Sequence, residues 1–165
     1  MIVPVRVTPG PGQESVWDYP RPPRVERFQG RIQVVYNAVT IADTRAARRV
    51  LETSHPPVYY LPVTDVRMDL LHPLSKGSWC EWKGSAVYFD VRVGEAVASA
   101  AAWAYSALPP EYHQLEDCVA FYAGPMDACL VDGQPAVAQP GGFYGGWITP
   151  NIVGPFKGTP GTHFW

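Results

Sequence analysis

A chain of 165 residues, 47% hydrophobic and 13% aromatic, can bury one ordinary core but not two, and it is too apolar to stay disordered. Its 18 prolines and 15 glycines exclude long helices and favour short strands joined by turns, so a mainly β class follows. A net charge of -2 supplies no field that would draw in a phosphate backbone, which argues against nucleic acid as a partner.

Residues 1–24 carry Pro4, Pro9, Pro11, Pro20, Pro22 and Pro23 without a sustained apolar period, and they read as an extended N-terminal arm pinned by Trp17 and Tyr19. The arm lacks the basic segment and long apolar run of a secretory signal, and no stretch of the chain is long enough to cross a membrane. The main body spans 25–138. It opens with two β-branched runs, Arg31 to Tyr36 and Val39 to Ala42, around the turn-prone pair Asn37-Ala38, a hairpin pattern.

Asp43 is placed to cap a helix over 44–52, with Ala46, Ala47, Val50 and Leu51 on one face and Arg45, Arg48 and Arg49 solvated on the other. His55-Pro56-Pro57 stops it. A strand at 58–62 follows, and the alternation of Val66, Met68 and Leu70 with Arg67 and Asp69 predicts a half-buried strand. The run from Ser85 to Val93 alternates cleanly, with Val87, Phe89, Val91 and Val93 on one face; Gly94-Glu95 turns the chain into a partner strand over 97–105. A short helix near 111–116 and strands near 119–122 and 126–131 complete the body. From Gln139 to Trp165 glycines alternate with aromatics, the pattern of a C-terminal tail that packs on the body through its rings.

Cys80, Cys118 and Cys129 are odd in number and far apart, which fits reduced thiols and a cytoplasmic location rather than a disulfide framework. Among them Cys80 has the richest surroundings: Cys80-Glu81-Trp82-Lys83-Gly84 sets a thiol, an indole and an ammonium side by side. If this motif is extended, Glu81 and Lys83 fall on one side.

Several ordered segments resemble one family: Val58-Tyr59-Tyr60-Leu61-Pro62, Asp65-Val66-Arg67-Met68, Cys80-Glu81-Trp82-Lys83-Gly84, Trp103-Ala104-Tyr105 and Val119-Ala120-Phe121-Tyr122. Together they are similar to the family called domain of unknown function 427, over roughly residues 28–123. The resemblance implies a β-tent-like fold, two antiparallel sheets leaning together around a concave, aromatic-lined site, with one or two short helices. Related β-tent proteins include zinc-bearing methionine sulfoxide reductases and binders of small cyclic or RNA-end ligands, activities that a shared fold does not transfer. The paired Cys-x-x-Cys motifs of zinc-bearing β-tents are missing from this sequence, and its histidines form no H-x-H or H-x-x-x-H pair, so no metal and no cofactor are expected.

Tyr60, Trp82, Trp103 and Tyr105 are the rings expected to line a pocket, since flat rings offer contact area and cation-π faces to a planar or cationic ligand. Asp65, Arg67 and Lys83, with Asp90, are the candidates for its polar groups; sheet-face ion pairs and core packing are the competing fates. Asp65 and Asp69 on one strand would stand about 13 Å apart, too far to share an ion. No carboxylate pair follows Gly77-Ser78 or Gly84-Ser85 to hold magnesium, so a nucleotidyltransferase reading has no motif behind it, and Gly154 to Lys157 lacks the spacing of a phosphate loop.

The leading expectation is a cytoplasmic domain that binds an unidentified small planar or cationic molecule in an aromatic pocket. One alternative is an enzyme using Cys80 as nucleophile or Asp65 or Glu81 as acid-base group. The other is a protein-protein interaction module working through the tail or a sheet edge, with a homo-oligomer left open.

Overall fold

The computed structural model describes residues 2–165. Strand makes up 44% of the chain and helix only 9%, all of it short 3-10 turns, so the fold is mainly β. In chain order the strands are β1 (Glu14–Ser15), β2 (Arg24–Arg27), β3 (Ile32–Tyr36), β4 (Val39–Thr44), β5 (Arg48–Leu51), β6 (Val58–Pro62), β7 (Leu71–Cys80), β8 (Gly84–Val93) and β9 (Ala96–Tyr105). Then come β10 (Cys118–Phe121), β11 (Ala128–Val131), β12 (Gln134–Pro135), β13 (Val137–Ala138), β14 (Trp147–Ile148) and β15 (Ile152–Val153). A seven-stranded sheet runs β2-β5-β6-β10-β9-β8-β7 and a four-stranded sheet β12-β11-β3-β4, both antiparallel throughout. Two small separate ladders pair β1 with β15, in parallel, and β13 with β14.

Turn chemistry places the hairpins. Asn37 and Ala38 both adopt positive φ, 46° and 64°, the geometry of a two-residue turn whose twist matches its strands, and they join β3 to β4. In the β8–β9 hairpin a bulge lies between Phe89 and Val91. There the buried Asp90 carboxylate accepts the Ala100 backbone N–H at 2.8 Å, while Ala100 sits at φ 49°. Asp90 is thus committed to the backbone of a bend.

The main core lies between the four-stranded sheet and one face of the large one. Ile32, Val34, Ile41, Tyr59, Leu61, Val91, Val119 and Phe121 form it, and the strand period of two sends every second residue of β6 and β10 into it. The opposite face of the large sheet carries a second cluster, with Val50, Tyr60, Ala86, Trp103, Tyr112, Leu115, Cys118 and Ala120. Val16, Tyr19, Leu51 and Ile152 form a third, smaller cluster that ties the residues before β2 to the C-terminal segment.

Three sequence expectations are corrected. The segment 44–52 is no helix: β4 continues to Thr44, a bend follows, and Arg48–Leu51 is a strand hydrogen-bonded on both sides, to β2 and β6. Sheet pairing overrides a helical spacing of apolar residues, because Val50 and Leu51 are each needed in a different cluster on opposite sheet faces. Arg49 is accordingly no solvated side chain; its side chain is 13% exposed and held between Glu14 at 2.5 Å and Glu26 at 2.6 Å. Residues 66–70 form no strand either, since 3-10 turns at Val63–Asp65 and Met68–Leu70 carry the chain around a corner into β7. Finally, Glu81, Trp82 and Lys83 are a three-residue hairpin loop between the paired Cys80 and Gly84, so the motif is folded back and not extended. Gly84, at φ 85°, supplies the left-handed residue that closes it.

No helix among the described residues is long and apolar enough to cross a membrane.

Candidate functional site

Outward-facing side chains of the large sheet build an aromatic floor. Tyr60 comes from β6, Tyr88 from β8, Trp103 and Tyr105 from β9, and Tyr122 from just beyond β10. Tyr88 stands directly across the ladder from Trp103, so their rings are neighbours by register. Trp103 is the hub: its ring lies 4.6 Å from Tyr122 and 6.2 Å from Tyr60, and its Nε1 donates to Tyr60 Oη at 3.2 Å. Tyr60 in turn lies 6.2 Å from Tyr105. The β7–β8 hairpin closes one side with Ser78, Cys80, Trp82 and Lys83, and Ser78 Oγ shares a 2.7 Å hydrogen bond with Tyr88 Oη.

The C-terminal segment forms the roof. Tyr122 Oη donates to the Phe143 carbonyl at 2.8 Å, and Gly145 lies so close on Trp103 that a Cβ there would fall 2.0 Å from the indole edge. Gln139, buried, cross-links three segments: its Oε1 accepts from the Gly146 N–H at 3.0 Å, while Nε2 donates to the Lys157 carbonyl at 2.8 Å and to His55 Nδ1 at 3.1 Å.

Floor, hairpin and roof line a half-open cavity of about 320 Å³. A second cavity of about 530 Å³ adjoins it, walled by the same Ser78, Tyr88, Tyr122, Gln139, Phe143 and Tyr144.

The Gln139 amide fixes the protonation pattern of His55. Since Nε2 of Gln139 is the donor, Nδ1 of the imidazole accepts and its proton sits on Nε2, which lies 3.7 Å from Glu52. Burial, with the charges of Lys157, Arg21 and Lys83 added, pushes the imidazole down to about 3, so it is neutral at physiological pH despite the nearby Glu52 carboxylate. Burial drives the phenols of Tyr60 and Tyr105 well above the ordinary tyrosine range, and both stay protonated hydrogen-bond donors. Burial also lowers Lys157, helped by Arg21 and opposed by Glu52. Lys83 is only 7% exposed, with its ammonium 5.8 Å from the Tyr105 ring and 6.0 Å from the Tyr112 ring.

Residues 24–132 match the family model described as Domain of unknown function (DUF427), which is well over half of the chain. The chain belongs to that family. The DUF427 match includes the floor and the hairpin but stops short of Gln139, Phe143, Tyr144, Gly145 and Lys157, so the roof lies outside it. A search of the curated proteins found no match.

Of the residues singled out in the sequence, the structure brings Tyr60, Cys80, Trp82, Lys83, Trp103 and Tyr105 to one cavity. It places Asp65 and Arg67 elsewhere. Asp65 accepts a 2.7 Å hydrogen bond from Thr44, and Arg67 forks onto Asp69 at 2.8 and 2.9 Å, beside a separate hollow that shares no wall with the aromatic one. The physical reason is the corner at 63–70, which runs beside β4, where Val66 bridges Ala42 and the Arg67 N–H donates to the Ile41 carbonyl at 2.7 Å. Glu81, exposed at the hairpin tip, lines the same cavity. Cys80 is partly exposed at the cavity wall, whereas Cys118 and Cys129 are buried and pushed up by that burial, to about 11 and about 12. Among the described residues no group of three or more histidine, cysteine or carboxylate side chains converges.

Sequence reasoning missed Glu52, His55, Gln139, Tyr144 and Lys157. In the sequence His55 reads as a helix stop beside two prolines, and Lys157 ends a glycine-bearing segment without phosphate-loop spacing. The glycine-aromatic alternation from Gly141 to Trp147 was the one signal that could have found the roof, because adjacent glycines permit close approach to flat rings.

Proposed function

We propose that this protein binds a small planar molecule in the aromatic cavity. The observation that carries the reading is the half-open cavity itself: about 320 Å³ of space between Trp103, Tyr60 and Tyr105 on one side and Tyr144 on the other, with polar groups such as His55, Lys83 and Gln139 among the rings. That volume falls at the low end of small-ligand sites, which are typically about 300–1,000 Å³ and mostly apolar with a few placed polar groups. Ring faces hold a flat ligand by stacking, and neutral phenol and imidazole N–H or O–H groups can fix its orientation.

Differential scanning against a panel of planar heterocycles and aromatic metabolites tests this. A compound at one hundred times its dissociation constant adds about 2.7 kcal/mol of stability, a readily visible rise in Tm. Trp82→Ala, which opens the hairpin side, is expected to weaken such a compound about tenfold or more, while Arg67→Ala, outside the cavity, leaves the shift unchanged. A panel in which nothing raises Tm at millimolar concentration sinks the reading.

One observation favours a covalent variant of the same site: of the three thiols, Cys80 alone reaches the cavity wall. Alkylation of Cys80 that persists well below the ordinary thiol pKa of about 8.5, and is blocked by a bound planar compound, supports it. Labelling that follows ordinary thiol titration and ignores the ligand removes it.

A further inference from the structure

Two lysines inside an aromatic cavity change what kind of planar molecule it suits. Lys83 is 7% exposed and lines the cavity, yet among the described residues no carboxylate lies within ion-pairing distance of it and no hydrogen bond engages its ammonium. The Tyr105 and Tyr112 rings, at 5.8 and 6.0 Å, stand at the outer limit of cation-π attraction, so they do not replace the water that Lys83 gave up. Three N–H donors remain to be used.

Lys157 reaches the same cavity from the C-terminal segment, over the Tyr144 ring at 5.4 Å, and among the described residues no carboxylate lies within ion-pairing distance of it. Two carboxylates line it, Glu52 and Glu81, and Glu52 is already engaged by Arg21 at 3.6 Å and faces the His55 Nε2–H at 3.7 Å. Glu81 lines the cavity from the exposed hairpin tip, where solvent screens its charge, and it is within ion-pairing distance of neither lysine. The cavity wall therefore carries two ammonium groups that no carboxylate pairs among the described residues, and a neutral imidazole that senses both of them and Arg21.

We propose that the planar ligand carries an anionic substituent, a carboxylate or a phosphate, seated between Lys83 and Lys157 with its ring against Trp103 and Tyr105. This rests on the planar-ligand reading above and narrows it: a cationic ring would meet two ammonium groups, with one carboxylate already shared with Arg21 and one exposed to solvent in return. An anion restores to Lys83 the charged hydrogen bonds that burial removed, and such bonds are about twice as strong as neutral ones.

The test uses four probes of one shape, titrated calorimetrically against the full chain: 2-naphthoate, 2-naphthyl phosphate, neutral 2-naphthamide and the cationic 2-naphthylmethylammonium. One or both anions are expected to bind at least about tenfold tighter than the amide, with the ammonium weakest. Carboxylate against phosphate then distinguishes the two sources of charge. Lys83→Met and, separately, Lys157→Met should shrink the anion-to-amide ratio toward one; Lys83→Gln repeats the test should the methionine variant fail to fold. An amide that binds as well as the anions, or an ammonium that binds best, overturns the anionic assignment and leaves the planar reading standing. Failure of all four probes to bind overturns both.

Discussion

The two faces of the seven-stranded sheet are built from the same strands and differ in what closes them. On the inner face Leu61, Val91, Val119 and Phe121 meet the side chains of the four-stranded sheet, aliphatic groups interlock, and the interior is filled. On the outer face Tyr60, Trp103 and Tyr105 meet a hairpin, a 3-10 turn and the C-terminal segment instead of a sheet. Large flat rings under a narrow cover do not interdigitate, and space is left over. One face has the job of stability; the other has room for a visitor.

This contrast can be broken from either side. Phe121→Ala removes a fully buried ring from the filled face and should cost about 3–5 kcal/mol, seen as a large drop in the urea midpoint, while any surviving folded protein keeps its affinity for a planar probe. A binding loss that exceeds the stability loss would mean the faces are coupled. Gly145→Val acts on the open face. Its side chain must displace the Trp103 indole, at an expected cost of about 1–3 kcal/mol, with loss of probe binding disproportionate to that cost.

The third perturbation is pH. His55 is held near 3 in the fold, by burial first and by Lys157, Arg21 and Lys83 after it, against about 6.5 unfolded. Above pH 6.5 both states are neutral and its contribution is complete. As pH falls from 6.5 toward 3 the unfolded chain takes up the proton first, so stability drops by about 1.4 kcal/mol per pH unit from this group. His55→Gln, which keeps a partner for Gln139, should flatten that slope relative to the parent in denaturant titrations at pH 7.0, 6.0 and 5.0. Parallel curves would show that the imidazole is not held neutral.

What the sequence disclosed follows the same division. The hairpins at 32–44 and 84–105 and the strands of β6 and β10 were legible because alternation and turn residues are local signals. The floor of the cavity was legible for the same reason, since Trp103 and Tyr105 on one strand must share a face. The strand at 48–51 was not, because Ala46, Ala47, Val50 and Leu51 repeat at helical spacing and only β2 and β6, distant partners, decide against it. The fate of Asp65 and Arg67 depended on a corner at 63–70 that mimics a strand in its alternation. His55, Gln139 and Lys157 meet across sequence gaps that no local pattern spans.

The Gln139 cross-link also bears on the order in which the molecule becomes whole. A ribosome releases the tyrosine- and tryptophan-bearing strands before the segment that covers them, so the nascent chain passes through a stage with an oily, ring-studded surface and nothing over it. Such a surface is prone to stick to other chains at this stage. Completion of the fold and completion of the pocket are then one event, sealed when a single buried amide finds its imidazole, its carbonyl and its glycine.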